Sequence, residues 1–483
     1  MELPAYLKSG EIARLFPVIS EGSKEQRAAS IFLSVLSAVP PLSSAIFSTI
    51  GQRVGARSVV NSFTEVVFQS DDIARKTDRP DGLIEIVTGK RRWSMLVEAK
   101  IGNSPLGAEQ IERYLRLARE NSVDAVLTIS NEFSGRPEHH PISVNKQLLR
   151  RVELFHLSWT AILTSAVLLQ EQATIDDPEQ AFLLREFIRF FSHPSAGLSS
   201  FDTMPPEWSA AIQLVQTGGR ISRAEHAEPI VTGWHQELRD LSLKLSRIIG
   251  CSVSTKLSRA HVSDVDQRVR DDANTLCSSG FLDGVFEIPG AASDLKIVAD
   301  LRSRVLRASM TVNAPKDRKS NKARLNWLLR QLRDVPPADV SVSVIWASRA
   351  PDFVLPLEKL LERPELVDQT SAKSELRAFE IVLTAPGARR FAGRRTVIEE
   401  IELLAPTYYE RIGQFLNAWV PPPPKPKHSV AEPETTLDAV PVTEIRPQAG
   451  NAHAELLDMP SFLIRPAVTE PSMPSDSKAD VEE

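Results

Sequence analysis

Two apolar runs separated by a short polar turn constrain this chain more than any other feature. RPDGLIEIVTG (79–89) and RRWSMLVEAKIG (91–102) are rich in β-branched and aromatic residues and read as the strands of a hairpin. Side chains alternate across a strand, so Glu98 and Lys100 share one face while Ala99 points the other way. With a four-residue turn at Gly89–Arg92, Asp81 falls opposite Lys100 and Leu83 opposite Glu98. Asp81 then becomes a diagonal neighbour of Glu98 on the same face, about 7–8 Å away. Two carboxylates side by side repel each other and need a counter-charge, which a lysine or a hard cation such as Mg²⁺ can supply. Mg²⁺ on carboxylates suits phosphoryl chemistry, because it polarises the phosphate and lowers the pKa of bound water. Lys100 would then orient the attacking water or stabilise the developing charge.

The flanking sequence places this hairpin in an α/β domain. Residues 23–57 read as two helical segments broken at Pro40-Pro41, and TEVVFQ (64–69) as a strand. A helix is expected from Pro105 to Asn121, with Ser104 as its N-cap and Pro105 at its first position. DAVLTISN (124–131) and ELFHLSW (153–159) read as short strands, followed by helices near 159–172 and 177–193. The order helix, strand, hairpin, helix, strand predicts a mixed sheet flanked by helices.

Pro80-Asp81, followed by Glu98-Ala99-Lys100 on the next strand, resembles the PD-(D/E)XK nuclease superfamily. Gln110 and Tyr114 on the following helix match the Gln-x-x-x-Tyr spacing of its helicase–nuclease branch. The resemblance covers roughly residues 20–135. It implies a restriction-endonuclease-like fold and Mg²⁺-dependent hydrolysis of DNA, with Mn²⁺ able to substitute. It also implies Asp81, Glu98 and the Ala99 carbonyl as metal donors, Lys100 as a catalytic residue, and Gln110 and Tyr114 as supporting residues. The family often carries a glutamate on the helix before the core, and Glu25 is the first candidate here, Glu65 the second. Tyr114 also reads as a flank of the apolar stripe Ile111, Leu115 and Ala118. A non-catalytic nucleic-acid- or protein-binding module on the same fold is the alternative reading, and RNA is the alternative substrate.

Residues 1–195 are thus expected to form the nuclease-like domain and 205–420 an α+β domain, with a Pro/Gly/Ser boundary at 194–206. The second domain opens with helical segments 207–217 and 225–249. Strands are expected near 281–288 and 295–312, a helix near 318–333 and the strand VSVSVIWAS from Val340. Between Arg302 and Arg333 lie ten basic residues against one acid, Asp317. The chain overall carries 57 Lys+Arg against 62 Asp+Glu, so this stretch stands out. Lys316, Arg318, Lys319, Lys322 and Arg324, in the first turns of the expected helix, read equally as a phosphate-contacting surface or as a solvated helix face. Asp283 and Asp300 repeat the spacing of Asp81 and Glu98, which raises the alternative of a decayed second nuclease-like fold against coincidence.

From Pro421 onward the chain holds twelve prolines and 5 Lys+Arg against 11 Asp+Glu, and reads as a disordered acidic tail. LLDMPSFLIRP (456–466) within it is either a docking segment for a protein partner or a chance apolar patch. His139-His140, in the Pro-flanked loop RPEHHP, reads as surface loop rather than metal site. Two cysteines, Cys251 and Cys277, give no disulfide scaffold, and no apolar run is long enough for a membrane span. A cytoplasmic protein without membrane contact is the expectation.

Overall fold

The computed structural model describes residues 4, 6–16, 24–69, 79–102, 104–348, 353–370, 374–386 and 388–421. The tail expected to be disordered, with its apolar segment at 456–466, lies outside the described residues. The first half comprises β1 (Leu7–Ile12), α1 (Lys24–Ala38), α2 (Pro40–Thr49), β2 (Ser58–Phe68), β3 (Gly82–Thr88), β4 (Arg91–Ala99), α3 (Ala108–Glu120), β5 (Ala125–Ser130), β6 (Glu153–Ser158), α4 (Trp159–Glu171) and α5 (Pro178–Ser192). The second half opens with α6 (Glu207–Gln216), α7 (Glu228–Ile249), β7 (Ser254–Thr255), α8 (Arg259–Ser263), α9 (Val265–Ser279), β8 (Phe281–Glu287), β9 (Leu295–Asp300) and β10 (Val305–Asn313). It continues through α10 (Asn321–Gln331), β11 (Val340–Trp346), β12 (Phe353–Pro356), α11 (Leu357–Glu362), α12 (Leu366–Thr370), β13 (Leu376–Pro386), α13 (Ala388–Ala392) and α14 (Arg394–Arg411).

The first sheet is mixed and runs in sequence order from β1 to β6. β1 to β4 pair antiparallel, and β4, β5 and β6 pair parallel. Parallel neighbours need a crossover, and α3 supplies the one from β4 to β5. Alternation decides which residues each helix layer covers. Ile84, Ile86, Met95 and Val97 pack with α1, α2, α4 and α5 on one face. Leu83, Leu96 and Val126 pack with Ile111, Leu115 and Ala118 of α3 on the other. Glu98 follows Leu96 by two residues and so belongs to the α3 face.

The hairpin differs from expectation in register. Thr88 pairs with Arg91 and Gly82 with Val97, leaving Gly89 and Lys90 as a two-residue turn. Gly89 has φ 62°, the left-handed conformation required at the first central position of a type II′ turn. This turn matches the twist of paired strands, so the shorter connection wins over a four-residue one. Asp81 therefore falls level with Glu98 rather than with Lys100, and Leu83 pairs with Leu96. The shift is two residues, so every side chain keeps its face.

Other boundaries moved for identifiable reasons. β2 begins at Ser58, earlier than expected, because its first residues pair with the far end of β3. α3 starts at Ala108 with Gly107 as N-cap, not at Pro105 with Ser104. Leu106 is buried in the α3-side core, which keeps the segment before the helix extended. The strand expected over 295–312 is two strands, β9 and β10, joined by a turn and paired antiparallel.

The second sheet has seven strands in the order β12-β11-β13-β10-β9-β8-β7, all antiparallel. This topology differs from the mixed first sheet. Asp283 pairs with Val298 and bonds Lys296 at 3.3 Å, while Asp300 sits opposite Phe281 and pairs with Arg307 at 3.2 Å. The suggested echo of the first hairpin is therefore a coincidence of spacing. The second core keeps its aromatic polar atoms satisfied: Trp208 Nε1 donates to Phe391 O, Trp234 Nε1 to Asp283 O, and Tyr408 OH to Ile381 O. The two sheets belong to one compact unit, Met1–Pro422. α4 packs on α7, and Arg247 donates to Thr164 Oγ1 at 2.5 Å across that seam. Among the described residues, no single helix is long and apolar enough to cross a membrane.

Candidate active site

The end of the β3–β4 hairpin brings most of the expected residues together. Asp81 immediately precedes β3, and its Oδ2 accepts the Ala99 N–H at 2.8 Å. Glu98 is only 2% exposed. Its Oε1 accepts from Lys100 Nζ and from Gln110 Nε2, each at 2.7 Å. Its Oε2 accepts no hydrogen bond. Gln110 Nε2 also lies 3.2 Å from Tyr114 OH, which donates to Arg79 O at 3.1 Å. Tyr114 thus flanks the core and reaches the site at once. The two sequence readings of that residue describe its ring and its hydroxyl respectively.

Glu25 reaches the same place from α1. Its Oε1 accepts the Ile101 N–H at 3.4 Å, and its Oε2 lies 3.8 Å from Lys100 Nζ. Glu65 does not join them. Its carboxylate accepts from Gln26 at 2.9 Å, at the rim. The Lys100 backbone is tied on both sides: its N–H donates to Ile129 O at 2.7 Å, and its carbonyl accepts from Trp159 Nε1 at 2.8 Å. The role of Trp159 was not legible in the sequence, where it reads as the last apolar residue of a strand. Lys24, Gln26, Ser104 and Gly197 join Glu25 and Asp81 around the opening to solvent.

Electrostatics follow from this packing. Burial, reinforced by the charge on Glu98, raises the Asp81 carboxyl to about 8. Burial also lifts Glu98 above the usual carboxylate range, against the opposing pull of the Lys100 ammonium and the Tyr114 and Gln110 side chains. Burial pulls Lys100 down, but its bond to Glu98 and the charges of Glu98, Glu25 and Asp81 raise it on balance. Three carboxylates thus face one ammonium, and one buried oxygen has no donor. Leaving such an oxygen unpaired costs about 1–3 kcal/mol or more. A divalent cation with oxygen ligands would satisfy both the charge and the orphaned atom. Asp81 and Glu98 fit that role by their chemistry and placement.

No protein-family model matches the chain, and no curated protein shows significant sequence similarity to it. The functional reading rests on the site itself.

The remaining candidates divide. Lys316, Arg318 and Lys319 lie in the exposed loop before α10, and Lys322 is exposed in its first turn. Ser320 caps that helix by accepting the Ala323 N–H, so the helix begins later than expected. Arg324 departs from the expected role. It is 6% exposed and donates to Arg318 O at 2.9 Å, to Leu376 O at 2.8 Å and to Glu375 at 2.5 Å. One turn into the helix, it faces the sheet with Leu325 and Leu328 rather than solvent, and is a structural clamp. The His139-His140 segment is not an exposed loop either. His139 bonds Val262 O at 2.8 Å, and His140 bonds Thr128 Oγ1 at 2.8 Å. Burial lowers His140 to about 4 and His156, also bonded to Thr128, to about 3, so both are neutral packing groups at pH 7. Cys251 and Cys277 are free and half-buried.

Proposed function

We propose that this chain is a Mg²⁺-dependent nuclease of the PD-(D/E)XK type that hydrolyses phosphodiester bonds of DNA, with Mn²⁺ able to replace Mg²⁺. The observation that carries the reading is the buried Glu98 with its unpaired Oε2, set beside Asp81 and Lys100 at the open end of a hairpin. The mixed sheet, with its hairpin followed by a crossover helix and parallel strands, supports a restriction-endonuclease-like fold for the first half. Asp81, Glu98 and the Ala99 carbonyl would hold the ion. When bound, it supplies a polarised phosphate and a more acidic water.

The chain's own groups do the rest. Ala99 N–H fixes the Asp81 carboxylate, and Gln110 fixes Glu98. Lys100 is held protonated by its acidic neighbours, so it acts as a fixed positive charge for the phosphate oxygens rather than as a base. Hydrolysis forms one bond from the water oxygen to phosphorus and breaks one ester P–O bond. The water proton leaves to solvent, and the departing oxygen takes one up. The exposed cluster Lys316, Arg318, Lys319 and Lys322 supports a phosphate-backbone contact by the second half.

The non-catalytic alternative has one observation in its favour: Lys100 already neutralises Glu98 at 2.7 Å without any ion. Cleavage of labelled single-stranded, double-stranded and branched DNA, and of RNA, across a titration of Mg²⁺ and Mn²⁺ separates the readings. Asp81→Ala, Glu98→Ala and Lys100→Ala should each abolish metal-dependent cleavage while the fold persists. Full activity in all three variants would remove the site, and a well-folded wild type inert on every substrate would favour the binding module.

A further inference from the structure

A second group of carboxylates lies inside the second half. Glu237 and Asp240 are one turn apart on α7, and Glu402 comes from α14. One oxygen from each lies within 4.8 Å of the others. Glu237 and Asp240 are both fully buried, at 0% exposure. Neither oxygen of Glu237 accepts a hydrogen bond, and neither does Asp240 Oδ1. The partners present are few. Asp240 Oδ2 accepts the Phe201 N–H at 2.9 Å and lies 3.2 Å from Lys244 Nζ, which also bonds Glu402. Lys244 therefore bonds Asp240 and Glu402, while Glu237 feels its charge but receives no hydrogen bond.

The arrangement is short of one ligand. Three acidic groups meet the Lys244 ammonium, and the Arg247 guanidinium also acts on Asp240; Glu402 and Lys244 are partly exposed, at 27% and 19%. A buried carboxylate with both oxygens unpaired is among the costliest groups a fold can retain. We propose that Glu237, Asp240 and Glu402 bind a divalent cation that takes oxygen donors and has the size of Ca²⁺. Ca²⁺ suits the site better than Mg²⁺ because it accepts irregular oxygen geometry, whereas Mg²⁺ demands a near-ideal octahedron and keeps several waters, for which two fully buried carboxylates leave little room. The site joins α7 to α14, so the ion acts as a staple between two helices, and its binding energy is folding energy.

Thermal unfolding and calorimetric titration of the full chain, stripped with EDTA and returned to CaCl₂, test this. Wild type should melt at a temperature that rises steadily with the logarithm of Ca²⁺ above the dissociation constant, as linkage requires. Glu237→Gln keeps the shape and removes the charge. It should lose that rise and bind one fewer ion per chain. Glu402→Gln, at the partly open edge, should do the same and serves if Glu237→Gln does not fold. Asp81→Asn must keep the Ca²⁺ response, which separates this site from the hairpin. No Ca²⁺-dependent shift in wild type, or an undiminished shift and stoichiometry in both glutamine variants, overturns the proposal.

Discussion

Arg324 is the sharpest point at which position in the fold replaces position in a basic stretch. Replacing it by methionine keeps the aliphatic stem and removes three donors. The bond to Leu376 O is fully buried, and losing a charged donor there costs about 1.5–3 kcal/mol. The part-buried bond to Arg318 O adds about 1 kcal/mol. Glu375 is 66% exposed, so that ion pair contributes about 0–1 kcal/mol. The sum is a loss of about 2.5–5 kcal/mol, which for a folded unit of this size lowers Tm by about 5–10 °C at ~2 °C per kcal/mol. Arg324→Lys should not restore it, because an ammonium cannot reach three acceptors in a planar fork. Lys322→Gln, two residues away and exposed, should stay within about 0.5 kcal/mol of wild type. Urea unfolding and calorimetry of the three variants give the comparison. If Arg324→Met is as stable as wild type but binds DNA more weakly with a flatter salt dependence, the residue is a phosphate contact and the reasoning fails.

Changing Lys316, Arg318, Lys319 and Lys322 together to glutamine should weaken DNA binding and reduce the slope of log affinity against log salt by up to about 0.9 per lost contact. Filter binding at four salt concentrations reads this, and an unchanged slope would leave these residues as solvated surface. The ion-free protein should lose stability as pH rises from about 4 to about 8, by up to about 1.4 kcal/mol per unit from Asp81. The sign follows because the native carboxyl holds a proton that the unfolded one has released. Mg²⁺ and Asp81→Asn should each reduce it, the remainder coming from other carboxyls raised by burial such as Glu98 and Glu237, as urea titrations at pH 5 and 8.5 would show. Ending the chain after Pro421 should leave Tm unchanged, since no described core residue lies beyond Leu416. A drop in Tm would reveal packing by the removed residues.

The site was legible because alternation along a strand is a strict rule. Glu98 and Lys100 on one face, with Asp81 beside them, follow from period two alone. The register was not legible, because it depended on whether Gly89 would adopt a positive φ, a choice made by strand twist. α9 and α14 went unread for a related reason. α9 carries only two fully buried apolar side chains, Ala273 and Leu276, and in α14 Pro406 reads as a helix break although Val397, Ile398, Ile401, Leu404, Ala405 and Tyr408 keep helical spacing. Glu237 and Asp240 did leave a signal. They sit among Trp234, Leu238, Leu241 and Leu245 on the buried face of α7, where an acid is out of place unless something meets it. Arg324 carried the same signal in reverse, a charge beside Leu325 and Leu328 on the inward side.

The backbone of Lys100 is fastened by Ile129 O and by the Trp159 indole, and neither bond involves its side chain. The amide that steadies Asp81 likewise belongs to Ala99, whatever residue follows it. The backbone ties of this corner are therefore encoded apart from the charge that fills it. A single exchange at position 100 would take the ammonium from the buried Glu98 carboxylate while these backbone ties remain. On the reading proposed above, a lineage carrying this fold would pass from cutting DNA to merely holding it through that one exchange.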